Sequence, residues 1–418
     1  MTLRTPGRRR LFAAVLIDST GSGLAVPFLL LYLTWQDGMS AARAGTVLTL
    51  AGVVALAAGP LSGPLIDRFG ARRVVQVAHL LRAAAFLGYP TTGSPPAALA
   101  LATLAAVGDN LFWPANRAFL ARRCAPDELL RWYGLERTLR NIGLAAGGLA
   151  AGFLAGSGGS GMRLVMAGNA ASCLLALLLI ALLPGAGDRP RRRVPGKPAS
   201  AARPGRPYLT MVAANTLLVL VSAALPVLVP LYVVRELGRP SWLVGALFAL
   251  NTLLVTAGQS LVVRWLERRA YLRVLQWSGV VWAGAALVFG AASAVPGAAV
   301  PVLLAVAVAV FTAAELMHGP TSDAVAVRMA PGESAGRHLG LHQLSWGVGS
   351  AVAPLALTGT LGLGAGWPWL LVGVAALLAC GALSAVRGAE VQEPVECETP
   401  GRARPGREAE RAERWPMR

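Results

Sequence analysis

Apolar runs of about twenty residues recur from near the start of the chain to residue 386, each one ended by glycine, proline or charge. A helix rising 1.5 Å per residue needs roughly 20 residues to cross ~30 Å of hydrocarbon. Run length alone therefore points to an integral membrane protein. Composition agrees: 55% of residues are hydrophobic, 14% are charged and the mean hydropathy is +0.57, whereas soluble domains carry about a quarter charged residues. Strand-like alternation is absent, and backbone groups in lipid must bond within their own segment, so an all-α fold is expected. Twelve spans are predicted, near 11–35, 44–65, 74–90, 97–118, 138–156, 164–184, 208–234, 241–263, 272–293, 299–318, 339–361 and 368–386.

The net charge of +18 would suggest a nucleic-acid partner in a soluble protein, but the placement of the charges has another cause. Of the 38 Lys and Arg, all but Arg43, Arg82, Arg163, Arg235 and Arg239 lie at the termini or in the connections that follow every second span. The positive-inside rule puts both termini and these connections in the cytoplasm and makes the number of spans even. No nucleic-acid partner is expected; the bilayer of a bacterial inner (plasma) membrane takes its place, with the chain as a multi-pass monomer. Trp35, Trp242, Trp367 and Trp369 fall at predicted outer span ends, where an amphipathic ring favours the interface. The four cysteines show no metal-like spacing and are expected as free thiols.

Residues 185–207, rich in Pro, Gly and Arg, cannot span and are expected as a cytoplasmic linker. It divides the chain into an N-terminal six-helix bundle (1–184) and a C-terminal one (208–388), with a cytoplasmic tail over 389–418 whose mixed charges suggest disorder. The halves echo each other. When 109–134 is set against 315–340, Pro114 falls on Pro320, Asp109 on Glu315 and Gly134 on Gly340, while Pro27 and Tyr32 echo Pro226 and Tyr232. Parallel six-helix repeats place a substrate site at their interface, near the midplane.

Between the second and third spans the chain reads GPLIDRFGARR, residues 63–73. Gly63 lets the second span approach another helix closely, Gly70 permits a turn with positive φ, and Arg72 and Arg73 sit in the negative surface potential of the inner leaflet. The stretch closely resembles the G-x-x-x-D-R-x-G-x-R-R signature of the major facilitator superfamily, matched at Gly63, Asp67, Arg68, Gly70, Arg72 and Arg73. The resemblance covers about residues 8–388 and implies a twelve-helix fold of two pseudo-symmetric bundles. It also implies that this loop latches the cytoplasmic side in the outward-facing state, near Arg337–Gly340, although the arginines also read as topology determinants alone. The second-half counterpart after Gly258 lacks the Asp, so the latch is one-sided. Gly143, Gly147, Gly148 and Gly152 are expected to let the fifth and eighth spans pack closely. They resemble a degenerate glycine-proline motif of the family's drug–proton antiporters, with Gly148 at the proline position. The arginine that those antiporters often carry would fall near Ala102 and is missing.

Ionisable groups in hydrocarbon are costly and therefore candidates for function. Asp18, Asp109 and Glu315 lie inside predicted spans; each is a candidate for proton or substrate coupling or, equally, for structural pairing, with Arg117 as one partner considered. Asn110, Trp113, Asn116 and Arg117 make one face of the fourth span polar and, with Asn215, are candidates to line the cavity. Asn141, Asn215 and Asn251 also read as helix–helix hydrogen-bonding residues. Arg82 and His79 in the third span have the reach to snorkel towards the cytoplasm and receive no role.

Enzyme chemistry finds no parts. SGGSG at 157–161 lacks the lysine and strand of a phosphate loop; His338 and His342 have the spacing for a shared metal but no third ligand. No catalytic residues, metal or cofactor are expected. The reading is a secondary transporter working by alternating access, exporting a small amphipathic or drug-like molecule in exchange for protons. The carboxylates of its cavity would favour cationic or neutral compounds. Proton-coupled uptake of a sugar or amino acid, and a non-transporting sensor with the same fold, are the alternatives.

Overall fold

A computed structural model describes residues 6–35, 38–91, 93–121, 129–183, 204–266, 269–330 and 335–386. The tail, and all but the last four residues of the predicted linker, lie outside the described residues, as do Cys124 and Cys397. Every regular element among the described residues is helical. Helices α1 (Pro6–Ala25) and α2 (Leu29–Trp35) form the first predicted span, and α3 (Ala41–Ala55) and α4 (Ala58–Phe69) the second. Then follow α5 (Ala71–Gly88), α6 (Pro95–Ala121), α7 (Leu129–Ala155) and α8 (Gly159–Ala181). The second half runs from α9 (Arg206–Ser222) and α10 (Ala224–Leu231), continued by a π-turn over Tyr232–Glu236, through α11 (Ser241–Leu266), α12 (Tyr271–Ala291), α13 (Val300–Arg328) and α14 (Ala335–Leu361) to α15 (Trp367–Val386).

Nine of the described spans are long and apolar enough to cross a membrane, and ten if α3 and α4, bent by 44° where they meet, count as one. The remaining two, α5 and α7, fall short because of residues such as Arg82, Arg137 and Arg140. Those same residues build the site described below.

The echo between the halves is structural. Tyr32 Oη donates to the Tyr89 carbonyl at 2.9 Å, and Tyr232 Oη donates to the Phe289 carbonyl at 2.9 Å, each across 57 residues. Each bond ties the end of a half's first span to the end of its third. Trp35, Trp242 and Trp367 are exposed at helix ends, but Trp369 is only 2% exposed. Two residues beyond Trp367 it points to the other side of α15, where it stacks on Phe289 at 4.2 Å. It belongs to the core rather than to the interfacial belt.

The halves meet along α7 with α11 and α3 with α14. A Cβ on Gly152 would lie 3.2 Å from the Gly245 Cα, and one on Gly245 2.6 Å from the Gly148 carbonyl oxygen, so these glycines bring two backbones together. Gly143 and Gly147 correct the expectation: they face α1, where a Cβ on Gly143 would meet the Leu16 carbonyl at 2.7 Å and one on Gly147 would overlap Thr20. Their spacing of four keeps them on one face, and Gly148 and Gly152 lie about 100° around the helix from it. Thus α7 is a double seam, seated on α1 by one glycine pair and on the other half by the second.

One set of polar contacts between the halves lies away from the arginine-rich connections. There Arg235 Nη2 donates to the Thr34 carbonyl at 3.0 Å, Ser241 Oγ to the Gly152 carbonyl at 2.9 Å, and the Leu355 amide to Thr49 Oγ1 at 3.0 Å. On the arginine-rich side α4 packs on α5 and α6 of its own half, and a chamber opens beside α6 and α7. Gly147→Val, whose side chain must displace α1, should lower stability by about 1–3 kcal/mol, read as a lower unfolding temperature in detergent. Gly284→Ala, with open space at its Cβ, should not lower it.

Candidate functional site

Three helices of the first half meet around one side chain. Arg82, 4% exposed, lies eleven residues into α5, about 16 Å from the helix start. Its Nη1 donates to Asp18 Oδ1 on α1 at 2.9 Å and its Nη2 to Ser22 Oγ, one turn further along α1, at 2.9 Å. Its Nε lies 3.0 Å from Asp109 Oδ1 on α6, an ion pair by distance whose N–H points off the line to the oxygen. Gly108 makes room: a Cβ there would lie 2.8 Å from the Arg82 Cγ. A fork of five N–H donors can serve three groups at once, and two carboxylates offset the cost of burying the cation. Phe112 closes the site, 5.7 Å from the guanidinium carbon and edge-on to His79.

Arg82 and His79 therefore do not snorkel. His79, one turn before Arg82, places Nδ1 3.5 Å from the same Asp18 oxygen. The available signal was a lone Arg in one span with a lone Asp in each of two others; the partners lie far apart in sequence. Asp109 meets Arg82 rather than Arg117. Its side chain is 56% exposed and shares a helical face with Trp113 and Arg117, while Asp18 is closed in. Asp18, His79 and Cys173 bring potential metal-ligand atoms within 4.8 Å of one another. Arg82, however, holds the Asp18 oxygen that an ion would need, and its positive charge opposes a cation there.

The chamber, about 640 Å³, is lined by Trp113, Asn116, Arg117, Glu136, Arg137 and Arg140. Asn116 Nδ2 donates to Glu136 Oε1 at 2.7 Å, and the Arg140 guanidinium lies 4.6 Å from the Trp113 ring centre. A crevice of about 30 Å³, shared by Trp113, Asn116, Glu136 and Arg140, leads on to Asp18 and His79; it has room for one or two waters. Three arginines against one carboxylate make the chamber wall positive, which corrects the expectation of an acidic cavity. Arg137 and Arg140 had been counted among the topology-determining charges.

Arg137 also reaches the other half, donating to Gln259 Oε1 at 2.7 Å, while Asn141 donates to Thr256 at 3.2 Å. Beyond it lies a second cavity of about 170 Å³, whose walls include Glu315, His318 and Trp346. Asn251 Nδ2 holds Glu315 Oε2 and Thr312 Oγ1, both at 2.9 Å. The offset relating Tyr32 to Tyr232 relates Arg82 to Trp282, so the second half offers Glu315 no matching cation. Asn215 is fully buried behind His318 instead of lining the cavity: its Oδ1 lies 2.9 Å from His318 Nε2, and its Nδ2 donates to Ser345 Oγ at 2.7 Å. Asn110 donates to the Ala106 carbonyl of its own helix at 3.0 Å. His338 and His342 have separate partners: the His342 ring pairs with Asp323 at 3.1 Å, and the His338 carbonyl accepts from Tyr208 at 2.6 Å.

In the 63–73 stretch Gly70 ends α4 at φ 85°, and its amide donates to the Ile66 carbonyl at 2.9 Å. Arg72 is not simply held by the lipid surface. Its Nη2 donates to the carbonyls of Ile180, Ala181 and Leu183 at 2.7–3.0 Å, capping the end of α8. A Cβ on Gly63 would meet nothing within 4 Å, and Asp67, Arg68 and Arg73 are exposed at this end of the first half. The side chain of Arg337, near the expected latch position, lies outside the described residues.

The sequence profile described as Major Facilitator Superfamily matches residues 11–270 and 211–408. A Na(+), Li(+), K(+)/H(+) antiporter of Planococcus maritimus is 26% identical, covering 86% of this chain and 91% of its own. The multidrug resistance protein MdtH of Edwardsiella ictaluri is 24% identical over 90% and 92%. Among solved structures, the nucleoside transporter NupG superposes with a TM-score of 0.77 at 15% identity, covering 92% of this chain and all of that one. A bacterial homologue of the iron transporter ferroportin in an inward-facing state gives 0.71 at 15% identity, over 90% and 98%.

Because Arg82 neutralises two carboxylates, Arg82→Leu should destabilise the protein by about 3–5 kcal/mol in chemical or thermal unfolding. Adding Asp18→Asn and Asp109→Asn should restore most of that loss; if it does not, the pairing is not what stabilises the site.

Proposed function

The chain belongs to the major facilitator superfamily, and on that premise we propose that it is a proton-coupled secondary transporter that exports a small amphipathic compound by alternating access. The carrying observation is Asp18: a buried carboxylate, held by Arg82, at the end of a water-sized crevice leading from the chamber. A proton on Asp18 weakens its hold on Arg82, leaving the guanidinium to Asp109 and Ser22 and loosening α1 from α5. The state of this one group is thereby tied to the packing of the helices around the chamber.

With the arginine-rich connections in the cytoplasm, the chamber faces inward, sealed outside by Thr34 with Arg235 and Gly152 with Ser241. A compound entering from the cytoplasm rests on Trp113. Closure brings α4 to the start of α14, where Asp67 meets the positive end of that helix, and the outer seal parts. A proton from outside then resets the site. Glu315 is a second coupling candidate, since it shares with Arg137 the cavity that reaches both halves. Export by exchange is supported by relatives named as a cation/proton antiporter and a multidrug resistance protein. Uptake with a proton is the second reading, favoured by the polar, arginine-lined chamber.

The test uses purified protein in proteoliposomes carrying an internal pH dye and a proton gradient, with a panel of drug-like cations, neutral drugs, organic acids, sugars and amino acids. Exchange is expected to appear as compound-driven proton release, abolished by Asp18→Asn while counterflow of labelled compound continues. Proton uptake with the compound would select the second reading, and flux unchanged in Asp18→Asn would remove Asp18 from coupling.

A further inference from the structure

Two of the chamber's arginines do more than flank a span. Arg137 and Arg140 are eight and eleven residues into α7, about 12 and 16 Å from its start, and both line the chamber. A charge at a helix end would orient the chain equally well without entering a cavity. Glu136, the one acidic residue among those lining the chamber, lies one turn from Arg140 and attracts it, but its Oε1 accepts from Asn116 at 2.7 Å, and Arg137 donates to the neutral Gln259, so one carboxylate faces three arginines. The Nε–H of Arg140 is buried without a hydrogen-bond partner. Its guanidinium lies over the face of Trp113, itself 40% exposed, so a flat apolar surface stands beside an unsatisfied N–H donor.

A guanidinium fork matches the two oxygens of a carboxylate, sulfonate or phosphate, and an exposed indole takes a flat ring by stacking. We propose that the transported compound is an organic anion, its charged group bound by Arg137 and Arg140 and its aromatic body laid against Trp113. This rests on the reading that the chamber carries the substrate, and not on the direction of transport.

The test is equilibrium dialysis of the full-length protein in lipid nanodiscs against three compounds of one shape: 1-naphthoate, neutral 1-naphthamide and cationic 1-naphthylmethylammonium. Naphthoate is expected to bind at least tenfold more tightly than either of the others, and more weakly as salt rises. Arg140→Gln and Arg137→Gln should each weaken naphthoate at least tenfold with little change for the amide, and Arg140→Lys should recover part of the loss. Equal or tighter binding of the amide or the ammonium compound to the wild-type protein overturns the proposal, as does the absence of saturable naphthoate binding. So does a preference for naphthoate that survives in an Arg137→Gln, Arg140→Gln variant with the wild-type unfolding temperature. Should an Arg variant fail to fold, the comparison of the three compounds on the wild type still decides. Asp18-dependent proton flux driven by cations alone would leave the transport reading standing and remove the anion. Naphthoate binding in the expected order, with no flux for any compound, would do the reverse.

Discussion

A guanidinium buried between two carboxylates organises the first half of this protein. Arg82 can occupy the centre of a helical bundle only because Asp18 and Asp109 meet it from two other helices and Ser22 takes a further donor. The dependence is mutual, since neither acid has another basic side chain as close. Gly108 allows the approach, Phe112 covers it, and the contact fixes the mutual positions of α1, α5 and α6. In a medium of low polarity, removing any one charge of such a set leaves the others exposed to the full desolvation penalty. A change of protonation therefore acts on helix packing as well as on local charge.

In the transport cycle we propose, the rest of the architecture lets that local event move large bodies. The halves touch along two glycine-lined or small-residue seams, α7 with α11 and α3 with α14, and by a few hydrogen bonds. Each such bond contributes of the order of 1 kcal/mol, and a carrier needs contacts of this size, because the seal must break in every cycle. Within each half the ties are more numerous, as the paired tyrosine bonds to Tyr89 and Phe289 illustrate. Arg72, which caps α8, anchors the 63–73 loop to its own half while leaving Asp67 exposed at the moving face.

Much of this was legible in the sequence because bilayer physics acts on run length and charge placement. Span positions, the repeat and the positive turn at Gly70 all follow from local patterns, and the three intramembrane carboxylates stand out because such groups are rare. Contacts between distant segments were not legible. Arg82 looked like a side chain reaching for the surface because its partners lie in other helices, the nearer of them 27 residues away in sequence. Arg137 and Arg140 were absorbed into the topology count, which weighs charges without regard to depth or facing, and so the chamber was expected to be acidic. Gly143 and Gly147 share a stretch with Gly148 and Gly152 but turn to another helix, and Trp369 follows Trp367 closely yet points into the core. In each case the residue type was informative and its direction around the helix was the missing quantity.

The central claim is that the charge state of Asp18 is coupled to occupation of the chamber. The most direct measurement is the number of protons exchanged with solution when the purified protein, in lightly buffered detergent, is titrated with a compound it binds. If the claim holds, binding to the wild type takes up or releases a measurable fraction of a proton per molecule, and Asp18→Asn binds the same compound with no proton exchange. Binding without proton exchange in the wild type, or the same exchange in Asp18→Asn, would contradict it.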